Sequence, residues 1–146
     1  MDKKVKIGLL GIGTVGSGVL ETLMKKDCGV KIKRIAEKDT NKIKWYPELP
    51  QELFTTDAND LLNDPEIKII VELIGGVNYA FEFIKEAIKH KKHVVTANKD
   101  LIARHGKELF ALAEANNVVI MYEAAVGGGI PIIMPLKQSL AANTIT

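Results

Sequence analysis

The sequence has few of the features that mark membrane, secreted or disulfide-stabilised proteins. Its 146 residues contain one cysteine, Cys28, so no internal disulfide can form, which suits a reducing cytoplasm. Aromatic residues make up only 5% of the chain, and no uncharged run approaches the roughly 20 residues that cross a bilayer. The first residues, Met1 to Lys4, do not resemble a signal peptide. We therefore expect a cytoplasmic protein with no membrane association.

An excess of charge of one sign is also lacking. Twenty Lys and Arg against 18 Asp and Glu give a net charge of +2, too small to predict a nucleic-acid partner. A hydrophobic content of 47% and the length are typical of one globular domain. From Ala115 to Thr146, however, the only charged residues are Glu123 and Lys137. We expect further chain outside this sequence to cover that segment.

Short apolar runs alternate with segments of helical period, the pattern of a parallel sheet flanked by helices. The predicted strands are Val5–Leu10, Val30–Ala36, Ile67–Ile74, Val94–Val95 and Val118–Tyr122. The predicted helices are Val15–Lys26, a brief one between Asp57 and Leu62, Asn78–His90, Asn98–Asn116 and one near Pro131–Ala142, with Asp57, Asn78 and Asn98 as N-caps. Residues 41–56 read as a loop with at most a short helix. The order predicts one α/β domain over residues 1–146, with a doubly wound, Rossmann-type, mostly parallel sheet and helices on both faces.

A glycine-rich segment follows the first predicted strand and opens the first predicted helix. Its sequence, Gly11-Ile12-Gly13-Thr14-Val15-Gly16, has the spacing G-x-G-x-x-G. The first glycine permits the tight turn, the second lets a pyrophosphate approach the backbone, and the third lets the helix pack close to the strand. The unpaired N–H groups of the helix start favour phosphate. The segment predicts binding of NAD or NADP, against the alternative of a glycine turn without a ligand.

Charged residues follow the second predicted strand, about 20 residues beyond the glycine loop, where an acid commonly binds the ribose of NAD. Glu37 comes directly after the strand and is a better candidate for this role than Asp39. Lys38, together with Lys42 and Lys44, can instead meet the 2′-phosphate of NADP. The choice between the two nucleotides therefore stays open, as does the alternative that these charges are a solvated strand end.

Two later segments lie where predicted strands end, at the carboxyl edge that binds ligands in open α/β sheets. Gly75 and Gly76 follow Ile74 and should let the chain pass close to the nicotinamide half. The run Thr96-Ala97-Asn98-Lys99 places a lysine at the start of a helix, where its charge is unfavourable. This misfit sets Lys99 apart from the other lysines, beside the alternative of a solvated lysine.

Together these segments resemble the amino-terminal NAD(P)-binding domain of homoserine dehydrogenase. The resemblance rests on the glycine loop, on Val71 to Gly76, on Thr96 to Lys99 and on Tyr122 to Pro131, and it covers essentially the whole chain. It implies reversible hydride transfer between NAD(P)H and aspartate 4-semialdehyde, giving homoserine, a small-molecule reaction of threonine and methionine biosynthesis. It also implies that Ile74, Gly75, Thr96 and Asn98 contact the cofactor. Lys99 would lie near nicotinamide and substrate and help to move the proton on the reacting oxygen.

The resemblance implies further features of the longer protein. A sodium ion would be bound by Glu123 and the backbone carbonyls of Val126, Gly128 and Ile130, since oxygen ligands suit a hard ion. Glu123 can alternatively be a lone carboxylate that positions the turn. A substrate domain with a second catalytic lysine is expected beyond residue 146, so the chain alone should be inactive, and we expect the full-length protein to form a homodimer. The run from Ala36 to Asp39 lacks an arginine common in the family, which again leaves NAD or NADP open.

Two other functions stay open at this point. One is another NAD(P)-dependent dehydrogenase, such as an aspartate-semialdehyde or dihydrodipicolinate-type reductase. An acylating enzyme of that kind needs a nucleophilic cysteine at the active edge, whereas Cys28 follows the far end of the first helix. The other is a non-catalytic nucleotide sensor, which would not need Lys99. His90, His93 and His105 lack metal-ligand spacing and are predicted to be surface residues.

Overall fold

Six parallel strands form a single sheet in the computed structural model, which describes residues 4–140. The strands are β1 (Val5–Leu10), β2 (Val30–Ala36), β3 (Phe54–Thr55), β4 (Ile69–Glu72), β5 (His93–Thr96) and β6 (Ile120–Met121). Their spatial order is β3-β2-β1-β4-β5-β6, and every neighbouring pair is parallel. This is the strand order of a dinucleotide-binding, doubly wound sheet. The predicted fold class is confirmed.

Five α-helices connect these strands. They are α1 (Thr14–Lys25), α2 (Thr40–Ile43), α3 (Asn59–Leu62), α4 (Asn78–Lys89) and α5 (Lys99–Ala115). Short 3-10 turns occur at Gln51–Leu53 and Glu123–Ala125, and a π-helical turn covers Pro135–Ser139. None of the helices in the described range is long and apolar enough to cross a bilayer.

Both faces of the sheet are buried. Side chains alternate between the two faces along each strand, so a strand contributes residues to a core on either side. Leu10, Ile70 and Val94 pack on the face covered by α3, α4 and α5. Ile7, Leu9 and Ile35 belong to the opposite cluster, which includes residues of α1 and of the segment that follows α2. The two clusters hold the carboxyl ends of β1, β4 and β5 side by side. The strand order reverses between β1 and β4, and a crevice at such a point is where this fold binds ligands.

Some local predictions were wrong. The segment predicted as a loop over residues 41–56 contains β3, which pairs with Ile35 and Ala36 at the edge of the sheet. Asn78 does not cap α4, because the helix starts one residue earlier, with Val77 at the N-cap position and no side-chain hydrogen bond. The helix predicted near residues 131–142 is present only as the turn Pro135–Ser139 among the described residues, and Ala142 lies outside them. Asn98 caps α5 as predicted, its Oδ1 accepting a hydrogen bond from the Leu101 amide at 3.1 Å.

Candidate functional site

The glycine loop leaves β1 through a left-handed turn. Gly11 has φ +90°, and its amide donates to the Ala36 carbonyl at 2.9 Å, which ties the loop to the end of β2. A Cβ atom on Gly11 would lie 3.1 Å from the Leu73 carbonyl oxygen. Glycine is therefore required here both by the backbone conformation and by the close approach of β4. Ile12 is fully buried beneath the loop, which fixes it to the core.

The loop ends at Gly13, which is the N-cap residue of α1. Its conformation is extended, no side chain caps the helix, and the first turn contains no acid. A Cβ on Gly13 would meet no atom within 4 Å, so the space in front of the helix is open. Thr14 and Val15, in the first turn, are exposed. The helix start therefore presents free N–H groups and a positive dipole end to an open space, as an anion-binding site requires.

Gly16 explains how the loop stays close to the helix. A Cβ at this position would lie 2.1 Å from the Gly11 carbonyl oxygen, far inside contact distance. Only glycine lets α1 pack this closely on the end of β1. The first and third glycines thus serve the backbone geometry, and the second leaves room for a ligand.

A cavity of about 560 Å³ opens beside the loop, between the ends of β1, β2 and β4. Gly11, Gly13, Glu37, Lys38, Ile74 and Gly75 all line it, so the structure brings these predicted site residues together. The other lining residues are Leu10, Ala36, Lys42, Thr56, Asp57, Ala58, Asn59, Leu73, Tyr79 and Phe83. The volume lies within the range of small-molecule and cofactor pockets.

Glu37 is 8% exposed, and its carboxylate holds the loop. Oε2 accepts a hydrogen bond from the Ile12 amide at 3.0 Å, and Oε1 accepts one from the Asp39 amide at 3.0 Å. The Lys42 ammonium lies 3.6 Å from Oε2. The predicted ribose-binding acid therefore also positions the glycine loop, because it fixes the amide between the first two glycines.

Lys38 reaches across the cavity to the start of α4. Its Nζ lies 4.2 Å from the centroid of the Tyr79 ring, in a cation–π contact. The Tyr79 ring stacks on Phe83 one turn further along, with 6.3 Å between centroids. A lysine held over the cavity gives this wall a positive charge next to the acid of Glu37.

The segment after β4 passes the other side of the cavity in two left-handed residues. Gly75 has φ +72° and Gly76 has φ +69°, so the chain turns sharply before α4. Ile74 is exposed, and its amide donates to the Glu72 carboxylate at 3.0 Å. Ile74 and Gly75 are the part of this turn that borders the cavity.

Thr96, Asn98 and Lys99 lie at the end of β5, beside the cavity and not in its lining. Thr96 is fully buried, and its hydroxyl donates to Glu72 Oε2 at 2.6 Å. Asn98 donates its side-chain amide to the Gly76 carbonyl, which joins this segment to the turn after β4. Lys99 is the exposed first residue of α5, and within the described residues its ammonium has no hydrogen-bond or ion-pair partner. It is available to a ligand.

The predicted sodium site lies in the turn after β6. The Glu123 carboxylate there accepts hydrogen bonds from three successive backbone amides, those of Ile132, Ile133 and Met134, the last two at 2.8 and 3.0 Å. Burial alone would raise the pKa of this carboxyl, but the three amides outweigh it and hold the pKa below its usual range. The oxygens of Glu123 are thus largely used within the chain. Its geometry is that of a residue that positions the turn.

The carbonyl-bearing residues of that prediction are Val126, Gly128 and Ile130, all of them exposed. Gly128 has φ +62° and follows a second left-handed glycine, so the chain forms a tight turn here. Within residues 4–140, no group of three or more His, Cys, Asp or Glu side chains could hold a metal ion. The predicted sodium site uses one carboxylate and three backbone carbonyls, so the absence of a cluster of such side chains from that range does not bear on it. The sodium ion stays a prediction.

The structure adds residues that the sequence did not single out. Glu72 joins the segments after β4 and β5; it lies within the motif of residues 71–76, but no role of its own was predicted for it from the sequence. Tyr79 and Phe83 line the cavity from α4. A signal was available for Tyr79, an exposed aromatic residue, whereas Phe83 is half-buried and packs against the core. Asp57, Ala58 and Asn59 also reach the cavity, from the loop after β3.

Comparison with known proteins identifies the family. Residues 11–123 match the family model described as homoserine dehydrogenase, NAD binding domain. A homoserine dehydrogenase of Synechocystis is 48% identical over 97% of this chain, which corresponds to 34% of that relative. The crystal structure of a homoserine dehydrogenase from Thiobacillus denitrificans superposes with a TM-score of 0.89 at 44% identity and covers 97% of this chain and 34% of that one.

A hyperthermophilic archaeal homoserine dehydrogenase in complex with NADPH superposes with a TM-score of 0.74 at 28% identity, over 91% of this chain and 48% of that one. The chain spans about a third of the length of the curated relatives that it matches: 34% of the Synechocystis enzyme and 35% of the one from Bacillus subtilis. The resemblance inferred from the sequence motifs is confirmed over nearly the whole chain. The chain belongs to the homoserine dehydrogenase family, in which it matches the NAD-binding domain.

Proposed function

We propose that this chain is the nucleotide-binding part of an enzyme that interconverts homoserine and aspartate 4-semialdehyde by hydride transfer with NAD(P)(H). The observation that carries the proposal is the uncapped start of α1 at Gly13, which faces open space beside a cavity of about 560 Å³. The residues present fit a dinucleotide, because a helix start, a carboxylate and a left-handed glycine turn surround one crevice. The nicotinamide group, when bound, accepts or supplies the hydride.

Each part of the cofactor has a place in this arrangement. The pyrophosphate would lie against Gly13 and the amides of Thr14 and Val15, where α1 begins. The adenosine half would occupy the cavity, with its ribose near Glu37 and Lys38. The nicotinamide half would extend past Ile74 and Gly75 toward the start of α5, because the second half of a doubly wound sheet binds the second mononucleotide.

Lys99 is the residue of this chain that would act on the substrate. Its free ammonium at the start of α5 can stabilise the negative charge that develops on the substrate oxygen and can exchange a proton with it. The remaining substrate-binding groups would come from a domain that follows in the longer protein. That domain, and a homodimer of the full-length enzyme, are part of this proposal and rest on the family relationship.

The cofactor site is tested by Gly13→Val. The branched side chain would fill the space in front of α1, so we expect NAD⁺ and NADPH binding to be lost, with an unchanged circular dichroism spectrum and melting temperature. Gly18→Val is the matched control, because Gly18 lies on the exposed side of the same helix with equally open surroundings. Calorimetry that shows normal nucleotide affinity in folded Gly13→Val would exclude the site.

We also propose that both NADH and NADPH are accepted, because a carboxylate and an ammonium line the same wall. Lys38→Ala should weaken NADPH binding by about tenfold and NADH binding little, since only NADPH carries a 2′-phosphate to pair with the ammonium. Lys107→Ala removes the same charge from the exposed surface of α5, outside the cavity, and serves as the control. If the two variants reduce NADPH affinity equally, Lys38 does not read the 2′-phosphate.

A sodium ion in the turn after β6 is proposed on the family resemblance alone. Because Glu123 already accepts three amide hydrogen bonds, the ion would depend chiefly on the carbonyls of Val126, Gly128 and Ile130. No step of the reaction is assigned to this ion.

A further inference from the structure

Glu72 is the acid in the described chain that is completely removed from solvent, with 0% of its surface exposed. It occupies the last position of β4 and is aligned with Thr96 of β5. Within the described residues no ion pair compensates its charge. A buried carboxyl is costly unless its oxygens are hydrogen-bonded, so a residue of this kind at the ligand edge of the sheet needs an explanation.

Both oxygens of Glu72 are used, and each serves a different loop. Oε1 accepts the Ile74 amide at 3.0 Å, which fixes the first residue of the glycine turn after β4. Oε2 accepts the Thr96 hydroxyl at 2.6 Å, at the end of β5. Because the two bonds use the two oxygens of one rigid carboxyl group, they set the spacing between the two loops.

The hydrogen bonds continue from Thr96 to the start of α5 and back again. The Thr96 hydroxyl accepts a hydrogen bond from the backbone amide of Asn98 at 3.0 Å. The Asn98 side chain accepts one from the Leu101 amide, which caps α5, and donates one to the Gly76 carbonyl. A closed ring of hydrogen bonds therefore links Glu72, the glycine turn, Asn98 and Thr96. Lys99 is the next residue along the chain from Asn98, so its backbone is held by the same ring.

We propose that Glu72 is a positioning residue for the nicotinamide half of the cofactor, which it serves by holding the Ile74–Gly76 turn and the Asn98–Lys99 segment at a fixed separation. The inference rests on the proposed function, because it assigns the nicotinamide half to the ends of β4 and β5. It predicts that loss of Glu72 weakens the binding contribution of the nicotinamide ring and spares that of the rest of the dinucleotide. The hydrogen bonds of Glu37 and the cation–π contact of Lys38 go to residues outside this ring, and Gly11 of the glycine loop lies beside Ile74.

The experiment compares the binding of two ligands to the 146-residue chain by calorimetry. NAD⁺ contains the nicotinamide half, whereas ADP-ribose has the same adenosine and pyrophosphate and lacks the nicotinamide ring. Glu72→Ala leaves the Ile74 amide and the Thr96 hydroxyl without an acceptor, so NAD⁺ should bind about tenfold more weakly. ADP-ribose should bind as it does to the unaltered chain. A folding defect would weaken both ligands together.

Three further variants complete the test. Glu72→Gln keeps one acceptor for the Ile74 amide and should recover part of the NAD⁺ affinity. Thr96→Val removes only the hydroxyl, so it should show the same selective loss and decides the matter if Glu72→Ala does not fold. Glu66→Ala is the control, since Glu66 is exposed before β4, where it pairs with Lys6 and Lys33, and it should affect neither ligand.

Each outcome separates the inference from the proposed function. Binding of neither ligand to the unaltered chain would overturn the proposed function itself. Normal ADP-ribose binding with unchanged NAD⁺ affinity in folded Glu72→Ala and Thr96→Val, or equal losses of both ligands, would overturn the positioning role alone. A selective loss of NAD⁺ binding supports it.

Discussion

Gly16 shows how a single hydrogen atom in place of a side chain sets the distance between a helix and a strand. The atom that a Cβ would meet belongs to the backbone of Gly11, at 2.1 Å, and not to the end of a flexible side chain. Relief of that contact would require α1 to move away from β1 or the turn at Gly11 to open. Either movement would shift the amides that face the open space at Gly13.

We therefore expect Gly16→Ala to destabilise the chain by about 1–3 kcal/mol, the usual cost of forcing extra volume into a packed site. The result should be measured by urea unfolding. Gly18→Ala is the matched control in the same helix, because its Cβ would enter open space and alanine favours helices by up to about 1 kcal/mol. A Gly16→Ala chain as stable as Gly18→Ala would contradict the close packing inferred here.

At this scale the sequence predicts the residues whose spacing follows from backbone geometry. The three glycines recur at fixed intervals, because each is required at one position of the strand–turn–helix connection. Glu72 has no such interval, since its partner Thr96 lies 24 residues away and meets it only when β4 and β5 pair. Lys38 was predicted from its position, but its contact with Tyr79 depends on where α4 begins.

The starts of the helices differ in a way that bears on function. The helix α1 has glycine at its N-cap and no acid in its first turn, whereas α5 has Asn98 as a capping residue and Asp100 in its first turn. The positive end of α5 is therefore partly neutralised by the chain itself. That of α1 is left for an external anion. The difference agrees with the roles proposed for these two helices at the same edge of the sheet, one toward phosphate and one as the support of Lys99.

The turn at Glu123 gives a prediction that depends on pH. The pKa of this carboxyl is lowered because three amides bind its charged form more strongly than burial opposes it. A group whose pKa is lower in the folded state stabilises the fold above its unfolded value of about 4.3, and that contribution is lost as the pH falls through the lower folded pKa.

We expect Glu123→Gln to lower the melting temperature at pH 7, because the glutamine amide turns a donor toward one backbone N–H. The difference from the unaltered chain should shrink as the pH falls through the lowered pKa of Glu123, where this carboxyl itself becomes protonated. Thermal melts across this range provide the measurement, with Glu114→Gln on the exposed side of α5 as the control. A gap that does not depend on pH would show that the charge of Glu123 is not what holds the turn.

Prediction at the scale of elements was limited by length and by tertiary context. The longer strands and helices follow from their apolar period, and β2 was predicted to the residue. Strand β3 has only two residues, Phe54 and Thr55, too few for any period to appear, and it exists because the edge of β2 is available to pair. Asn78 has the side chain of a cap, but two left-handed glycines bring the chain into the helix at Val77, so its side chain is past the capping position.

For the whole molecule, the strand order separates two kinds of surface. The crevice between β1 and β4 collects the charged and glycine-rich residues of the candidate site. The region after α5 instead exposes large apolar side chains: Val119, Met121, Val126, Ile130, Leu136 and Leu140. The low charge of residues 115–146 predicted such a surface, and the described part of that segment carries it. Parallel edge strands of this kind usually need a cover or a charge to prevent association.

The contrast between the nucleotide crevice and the apolar surface after α5 leads to a prediction about activity. The 146-residue chain holds one candidate for chemistry on the substrate, Lys99, and this residue does not line the cavity of about 560 Å³. Fixing a substrate in reactive geometry against its partner can contribute roughly 7–11 kcal/mol to a reaction barrier. We expect the chain alone to bind NAD⁺ without reducing it when homoserine is added, because that contribution is missing.

The measurement is the absorbance of reduced nicotinamide in a mixture of purified chain, NAD⁺ or NADP⁺ and homoserine, with nucleotide binding confirmed by calorimetry in the same buffer. Lys99→Ala is the control, and it should bind the nucleotide and be equally inactive. Turnover by the unaltered chain at an ordinary enzymatic rate of roughly 1–1000 s⁻¹ would show that no second domain is needed. If Lys99→Ala then abolished that turnover, the lysine at the start of α5 would be sufficient for catalysis, and the division of labour proposed here would be wrong.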